Sequence, residues 1–265
     1  RLNISAKRLS IPEFPKKYFF EALEILLNLD KEWIISGIGN SLYIRPFVFA
    51  NQAGVQASPA NKYKFLIICT PVKAYYSKNV NVLIAEKYSR AANGGVGFAK
   101  AAGNYAAQFY PTSLAQKKGY EQIIWTDANN HEYLEEAGTM NIFFRIGDNL
   151  ITAPNNDRIL DGVTRKSIID LCKYLKINVE IRPISIKELL SAYDNKSLIE
   201  IFGSGTAVVI LPIKSFNYKN IHYDLTDNKD PQSELLKKKI MDIQYNIGED
   251  PFNWRYKVPN LTFSK

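Results

Sequence analysis

The amino-acid sequence predicts a mixed α/β (α+β) protein with two domains, of which the second is the larger. Apolar runs of strand length alternate with helical patterns along most of the chain. A stretch with Pro71, two adjacent tyrosines and several polar residues interrupts this alternation and is typical of a domain connection. The predicted boundaries are therefore 1–73 for a small domain, 74–80 for the link and 81–265 for a large domain.

In the first domain, a helix is predicted over 17–29, because Phe20, Leu23, Leu26 and Leu27 recur on one face. Strands are predicted over 42–50 and 65–70, where apolar residues dominate. Arg45 lies inside the first of these strands. It is either an arginine on the solvated face of an edge strand or an anion ligand, since its guanidinium fork suits phosphate.

In the second domain, strands and helices are predicted in alternation. The strands lie at 80–85, 121–126, within 135–146, and at 150–152, 178–183, 198–203 and 208–212. The helices lie at 104–118, from a glycine turn at 161–165 through 175, and at 186–192 and 233–246. Ser185 precedes one of these helices directly and is a candidate N-cap.

Composition limits the function classes. The net charge is +8, but the lysines are scattered and accompany no nucleic-acid motif, which favours a solvated surface or anionic small-molecule ligands. No apolar stretch has the length of a membrane-spanning helix, so no membrane partner is expected. Cys69 and Cys172 lie far apart in apolar contexts, which indicates reduced thiols and a cytoplasmic setting. With two cysteines and two histidines, no metal site is expected.

Lys100 is the one cation of the stretch 93–105, Asn-Gly-Gly-Val-Gly-Phe-Ala-Lys-Ala-Ala-Gly-Asn-Tyr. Glycines let the backbone turn sharply and come close to a ligand. A lysine in apolar surroundings without a counter-charge would have a lowered pKa, and its neutral amine could form a Schiff base. The alternative is a solvated lysine in a glycine-rich loop.

Other segments could complete a site around that amine. Glu136 precedes a stretch of small residues and could supply the carboxylate that pyridoxal phosphate needs beside its ring nitrogen. The turn Gly162-Val163-Thr164 opens a helix whose N–H groups could hold a phosphate, and the hydroxyl-bearing loop 203–206 could do the same. Arg45 could add a positive charge. Each feature has a purely structural interpretation, but together they match the parts of a pyridoxal-phosphate enzyme.

Four motifs in this order resemble the branched-chain amino acid aminotransferases, which are pyridoxal-phosphate enzymes of fold type IV. They are Gly-Phe-Ala-Lys-Ala-Ala-Gly-Asn-Tyr at 97–105, Glu-Glu-Ala-Gly-Thr-Met-Asn at 135–141, Asp-Gly-Val-Thr-Arg at 161–165 and Phe-Gly-Ser-Gly-Thr-Ala at 202–207. The resemblance runs through nearly the whole chain.

The resemblance implies a role for each matched residue. Lys100 would form the Schiff base with pyridoxal 5'-phosphate and move the proton at the substrate Cα, Tyr105 would bond the ring oxygen, and Glu136 would pair with the pyridine nitrogen. The phosphate would be held by Arg45, Val163, Thr164 and Thr206. The substrate would meet Tyr75, Thr139 and Ala207.

The implied reaction is transamination of L-leucine, L-isoleucine and L-valine with 2-oxoglutarate, which gives branched-chain 2-oxo acids and L-glutamate. The implied assembly is a homodimer or an assembly of dimers. The sequence departs from the family in two ways. No Cys-x-x-Cys follows the Gly-Thr-Ala motif, so no thiol switch is expected, and the family's longer N-terminal part of the small domain does not precede Arg1. We therefore expect low activity from this chain alone.

Three alternatives remain at this stage. The first is another enzyme of fold type IV, a D-amino acid aminotransferase or an aminodeoxychorismate lyase. The second is a basic nucleic-acid-binding protein without enzymatic activity, which would show salt-sensitive binding. The third is an inactive remnant that keeps the fold and lacks turnover.

Overall fold

The computed structural model describes residues 1–73, 80–225 and 230–262. The chain divides into two compact units, one formed by Arg1–Tyr76 with Tyr245–Lys265 and the other by Ser77–Gln244. The mixed α/β class predicted from the sequence is confirmed. The predicted domain boundaries stay a prediction: they assign residues 245–265 to the large domain, whereas the contacts group these residues with the first unit.

The first unit is built from short helices and one antiparallel strand pair. Its elements are α1 (Leu2–Arg8), α2 (Lys16–Leu29), a single 3-10 turn (Lys31–Trp33), β1 (Asn40–Ala50) and β2 (Tyr63–Lys73). The strands pair in continuous register from Asn40 opposite Lys73 to Ala50 opposite Tyr63. The predicted helix and both predicted strands are confirmed, whereas the two-turn helix α1, which has no side-chain N-cap, was not predicted.

The end of the chain is fastened to α2 by hydrogen bonds. Asn28 Nδ2 donates to the carbonyl of Pro259 at 2.9 Å, and the Leu261 N–H donates back to Asn28 Oδ1 at 3.0 Å. Tyr256 adds a hydrogen bond from its hydroxyl to Glu24. These contacts explain why the last residues belong with the first unit, although they lie far from it in sequence.

The second unit alternates strands and helices, as the sequence predicts. Its elements are β3 (Val80–Ile84), α3 (Ala102–Lys117), β4 (Gln122–Thr126), β5 (Leu134–Ala137), β6 (Met140–Ile146), β7 (Asn149–Thr152), α4 (Val163–Tyr174), β8 (Val179–Ile181), α5 (Ile186–Asp194), β9 (Leu198–Gly205), β10 (Val209–Tyr218), β11 (Ile221–Asp224) and α6 (Gln232–Gln244). The short strand β11 was not predicted, and the single strand predicted within 135–146 is in fact two strands, β5 and β6. No helix among the described residues is long and apolar enough to cross a membrane.

The strands of the second unit form a sheet that closes on itself. The hydrogen-bonded order runs β11-β10-β3-β4-β5-β6-β7-β8, and β9 pairs with both β10 and β6. The ring β10-β3-β4-β5-β6-β9 is therefore a closed barrel, and β7, β8 and β11 extend it. Closure satisfies strand edges that would otherwise remain open.

Strand alternation separates an apolar barrel interior from a partly polar outer face. On β6, Met140, Ile142 and Phe144 belong to the interior cluster, which also contains Val82, Ile84, Ile124, Ala137, Ile201, Leu211, Ile213 and Phe216. Asn141 and Phe143 point the other way, and the ring of Phe143 stacks on that of Phe202 with centroids 5.1 Å apart. Helix α4 packs against β9 on this unit. The outer face of β5, β6 and β9 is thus where polar side chains can gather.

Ser185→Ala should destabilise the fold through the loss of one helix cap. The Ser185 hydroxyl accepts a hydrogen bond from the Glu188 N–H at 3.0 Å, so the predicted N-cap of α5 is confirmed. We expect a loss of about 1 kcal/mol in the free energy of unfolding, measured by urea denaturation. The control is Ser191→Ala at an exposed position of the same helix, which should not destabilise the protein. Equal effects of the two substitutions would contradict the assignment.

Candidate active site

Lys100 lies at the end of the loop that joins β3 to α3, and buried amide groups hold this loop in shape. Asn104, in the first turn of α3, donates from Nδ2 to the carbonyls of Val96 and Ala99, both at 2.8 Å. Gln108 then donates to the Asn104 carbonyl at 2.8 Å. The loop conformation before Lys100 is therefore fixed from the helix side.

The loop before Lys100 is also fastened to residues 157–158. The Gly94 N–H donates to Asp157 Oδ2, and the Phe98 N–H donates to the Asp157 carbonyl, each at 3.0 Å. A Cβ at Gly97 would lie 2.7 Å from the Arg158 Cα, so only glycine permits this approach. The sequence predicted that these glycines allow close approach to a ligand; at Gly97 the approach is to another part of the chain.

Lys100 itself is exposed, and its amino group donates to the Tyr105 hydroxyl at 2.8 Å. Of the two interpretations of Lys100, the exposed position agrees with a solvated lysine and not with one enclosed in apolar surroundings. Burial raises the pKa of the Glu136 carboxyl, and the charge of Lys100 is a weaker influence that favours its charged form. This neighbour comes from β5, which the local sequence around Lys100 could not reveal.

Glu136 lies on the outer face of the barrel and is almost completely buried, at 3% exposure. Its Oε1 accepts hydrogen bonds from the Leu160 N–H at 2.8 Å and from Asn141 Nδ2 at 3.2 Å. Its Oε2 forms an ion pair with Arg90 Nη2 at 2.9 Å. Burial raises the pKa of Glu136 to about 7, although Arg90 and the Leu160 N–H favour the charged form.

Arg90 connects the main parts of the site, and no motif pointed to it. Besides Glu136, its Nη2 donates to the carbonyls of Gly97, at 3.3 Å, and Arg158. Arg158 in turn pairs with the buried carboxylate of Glu135. The adjacent glutamates of β5 thus each have an arginine partner. In the sequence, the pair Glu135-Glu136 was the one signal that could have pointed to Arg90, because carboxylates buried in a protein need nearby cations.

The first turn of α4 lies next to the carboxylate of Glu136. Gly162 is the N-cap, and a Cβ at this position would lie only 2.0 Å from Asn141 Oδ1. Glycine therefore allows the start of the helix to rest against β6. Val163 is exposed and Thr164 partly buried, and N–H groups in a first helical turn have no acceptor within the helix. They are suited to an anion.

The remaining predicted residues lie in different places. Thr139 is exposed in the two-residue turn between β5 and β6, where Gly138 adopts a φ of +58°. Thr206 and Ala207 are exposed in the turn between β9 and β10. Arg45 belongs to the first unit, is exposed, and donates to the Tyr43 hydroxyl at 2.9 Å. Tyr75 lies outside the described residues.

A small cavity of about 20 Å³ lies in the second unit, where the loop before α3, the first turns of α3 and strand β5 come together. Lys100, Tyr105, Glu136, Thr139 and Leu160 are among the residues that line it. Its volume is well below the roughly 300–1,000 Å³ of ligand pockets. Of these lining residues, Glu136 is buried and Lys100 is exposed.

A wider open groove of about 920 Å³ lies elsewhere on the second unit. It is lined by the turn 130–132, by α5 and by Tyr218, and it contains none of the predicted site residues. Its polar lining carries charges of both signs. Among the described residues, no group of three or more His, Cys, Asp or Glu side chains could hold a metal ion.

The donor set at Lys100 suits a phosphorylated carbonyl cofactor with a basic ring nitrogen. It offers an amine with a phenol beside it, a buried carboxylate fixed by an arginine, and a helix N-terminus for an anion. On β9, opposite Asn141, the buried hydroxyl of Ser204 has no hydrogen-bond partner in the described part of the chain. These observations favour pyridoxal phosphate chemistry over an unspecialised lysine loop.

Glu136→Gln should change how the stability of the cofactor-free protein depends on pH. Because burial raises the pKa of Glu136 from 4.5 to about 7, the folded chain binds this proton more tightly than the unfolded chain. Its contribution to stability is complete below pH 4.5 and is lost as the pH rises to 7. We expect the difference in unfolding free energy between wild type and variant to change by about 3 kcal/mol over this interval, measured by urea denaturation. A difference independent of pH would contradict the burial effect.

Comparison with known proteins agrees with this chemistry. The family model "Amino-transferase class IV" matches residues 1–216. The chain is 42% identical over 264 residues to the "Probable branched-chain-amino-acid aminotransferase" of Staphylococcus epidermidis, covering 98% of this chain and 74% of that protein. It is 41% identical over 266 residues to branched-chain-amino-acid transaminase 1 of Bacillus subtilis, covering 97% and 74%.

A solved structure shows the same fold. The crystal structure of the Escherichia coli branched-chain amino acid aminotransferase aligns with a TM-score of 0.78 and 26% sequence identity, covering 96% of this chain and 80% of that one. The predicted fold type IV architecture is thereby confirmed. From the family model, the sequence relatives and the fold together, the chain belongs to the class IV aminotransferase family.

Proposed function

We propose that this protein transfers the amino group of L-leucine, L-isoleucine and L-valine to 2-oxoglutarate, with pyridoxal 5'-phosphate held on Lys100. One observation carries the proposal. The same site contains the Lys100 amine, which donates to the Tyr105 phenol, and the buried carboxylate of Glu136, which is bound by an arginine. The names of the relatives, at 41–42% identity, support the branched-chain substrate class. Membership of an aminotransferase family favours this enzyme over a nucleic-acid-binding protein.

Pyridoxal phosphate supplies an aldehyde that carries the amino group and a ring that accepts electrons when its nitrogen is protonated. Glu136 is suited to keep that proton in place. Its carboxylate is buried, and Arg90 at 2.9 Å favours the charged form. The Oε2 oxygen can accept a second hydrogen bond beside that from Arg90. Glu136 therefore holds a proton at the ring nitrogen in our account.

Lys100 has two tasks in our account. It holds the cofactor through its amine, and after release by the incoming amino acid it removes the proton from the substrate Cα. Tyr105 contacts the amine at 2.8 Å and can orient it. Because Lys100 is exposed rather than buried, a substrate has direct access to it. From this position beside the amine, the Tyr105 hydroxyl can also donate a hydrogen bond to the ring oxygen of the cofactor.

The phosphate and substrate assignments rest on the family resemblance and on the placement of small loops. The N–H groups of Val163 and Thr164 at the start of α4 and the hydroxyl of Thr206 are proposed as phosphate ligands. Arg45 of the first unit is proposed as a further ligand. Residues proposed to contact the substrate are Thr139, Ala207 and Tyr75.

Assembly and location follow from the resemblance and the composition. A homodimer, or an assembly of dimers, is proposed because the resemblance implies it. Cys69 and Cys172 are both free thiols, and burial raises the pKa of the Cys172 thiol to about 12, which makes it unreactive. The predicted cytoplasmic setting and the lack of a thiol switch rest on this cysteine usage and stay predictions.

The competing function within the same family is that of a D-amino acid aminotransferase or an aminodeoxychorismate lyase. Purified protein with added pyridoxal phosphate should be assayed with L-leucine and with D-alanine, each with 2-oxoglutarate as acceptor. Formation of L-glutamate with L-leucine alone is the expected result. Turnover of D-alanine would favour a D-amino acid aminotransferase. Release of product in the absence of 2-oxoglutarate would favour a lyase.

Lys100→Ala should abolish both the absorbance of the bound cofactor in the visible range and all turnover, because no other described residue that lines the small cavity at Lys100 carries an amine. The matched control is Lys118→Ala, an exposed lysine just beyond the end of the same helix α3, which should keep both signals. The readouts are an absorbance scan of the loaded protein and the L-leucine assay. Turnover by Lys100→Ala at the wild-type rate would contradict the assignment.

A further inference from the structure

Ser204, near the end of β9, has a hydroxyl group with no hydrogen-bond partner in the described part of the chain. The residue is only 1% exposed. A buried hydroxyl normally has a partner, because leaving it unsatisfied destabilises the folded state. An orphaned hydroxyl of this kind is a candidate donor to a bound molecule.

The strand register fixes the direction of this side chain. Ser204 lies opposite Asn141 on β6 and opposite Ile210 on β10. Residues opposite each other on paired strands point to the same face of the sheet. The flanking glycines point the other way: a Cβ at Gly203 would lie 2.7 Å from Met140 Cε, in the barrel interior. The Ser204 hydroxyl therefore lies on the outer face together with Asn141.

That outer face is the site already described. Asn141 Nδ2 donates to Glu136 Oε1 at 3.2 Å and to the Leu160 carbonyl at 2.8 Å. Its Oδ1 lies against the backbone of Gly162, the N-cap of α4. Ser204 thus lies on the strand beside Asn141, and the side chain of Asn141 lies against the N-cap of this helix. Thr206, two residues further on, was predicted as a phosphate ligand.

The surroundings favour an acceptor that carries negative charge. The N-terminal end of α4 has a positive electrostatic potential and N–H groups without acceptors within the helix. Arg165, in the first turn of α4, is buried with its guanidinium group bonded to the Ala153 carbonyl at 2.7 Å. A neutral acceptor would gain less from this potential than an anionic oxygen would.

We propose that the Ser204 hydroxyl donates a hydrogen bond to a phosphate oxygen of the cofactor, which makes Ser204 a binding residue. This inference rests on the proposed function, since the phosphate is that of pyridoxal phosphate. In this arrangement β9 supplies one donor, and the first turn of α4 supplies others. The competing explanation is a buried water that satisfies Ser204 whether or not the cofactor is present.

The test compares Ser204→Ala with Ser215→Ala. Ser215 lies on the neighbouring strand β10, is equally buried at 1% exposure, and donates to Asn81 Oδ1 at 2.7 Å. The same atom is thus removed from an orphaned and from a satisfied hydroxyl. Measured for each protein are the melting temperature without cofactor and the affinity for pyridoxal phosphate by absorbance titration.

We expect Ser204→Ala to leave the melting temperature without cofactor unchanged or raised, and to weaken pyridoxal-phosphate binding by about tenfold or more. Ser215→Ala should lower the melting temperature and leave the affinity unchanged, because its hydroxyl has a partner inside the chain. Pyridoxal without the phosphate should bind wild type and Ser204→Ala equally. Inorganic phosphate should compete less well with pyridoxal phosphate in Ser204→Ala than in wild type.

Several outcomes would overturn the inference. Wild-type affinity in Ser204→Ala, or equal losses for pyridoxal and pyridoxal phosphate, would show that the hydroxyl does not contact the phosphate. A lowered melting temperature with unchanged affinity would support the buried water. Should Ser204→Ala fold poorly, Ser204→Cys keeps the shape with a weak donor and should show the same selective loss. Failure of wild type itself to bind pyridoxal phosphate would instead refute the proposed function.

Discussion

The buried ion pair between Arg90 and Glu136 is the interaction on which the site depends. One guanidinium group binds the carboxylate on β5, the Gly97 carbonyl before Lys100 and the carbonyl of Arg158. It therefore joins three segments that are far apart in sequence. Removing one partner of a buried ion pair typically costs about 3–5 kcal/mol, because the other charge stays buried and unpaired. The same pair favours the charged form of Glu136, which a cofactor ring nitrogen requires.

Barrel closure explains how this pair comes to lie beside the lysine. Strands β5, β6 and β9 are neighbours in the closed ring, so their outer faces form one surface. Alternation sends Met140, Ile142 and Phe144 inward and leaves the outer face to Glu136, Asn141 and Ser204. The rigid barrel thus places polar groups from three strands within reach of one ligand, while loops and helix ends supply the amine and the N–H groups.

Local sequence patterns predicted most of the elements but only part of the site. Periodicity predicted α3, which follows Lys100, and the strands β9 and β10, which flank Thr206, but it did not predict β5, which carries Glu136, as a separate strand. The residues themselves followed from motif chemistry. Arg90 was missed because its partner lies 46 positions further along the chain and meets it only after the barrel closes. The sequence left the exposure of Lys100 open for the same reason: a lysine flanked by small residues in sequence is not thereby enclosed in space. Ser204 was visible only as one hydroxyl of a loop, since burial and lack of a partner are properties of the fold.

The central claim is that Lys100 carries the cofactor while Glu136 holds its ring nitrogen. Its most direct test is to load the protein with pyridoxal phosphate, reduce the covalent link with borohydride, digest the chain and locate the modified lysine by mass spectrometry. The account predicts one phosphopyridoxyl group, on the peptide that contains Lys100, and none on that peptide when excess L-leucine has displaced the lysine before reduction. Modification of a different lysine, or of Lys100 to the same extent with and without L-leucine, would contradict it.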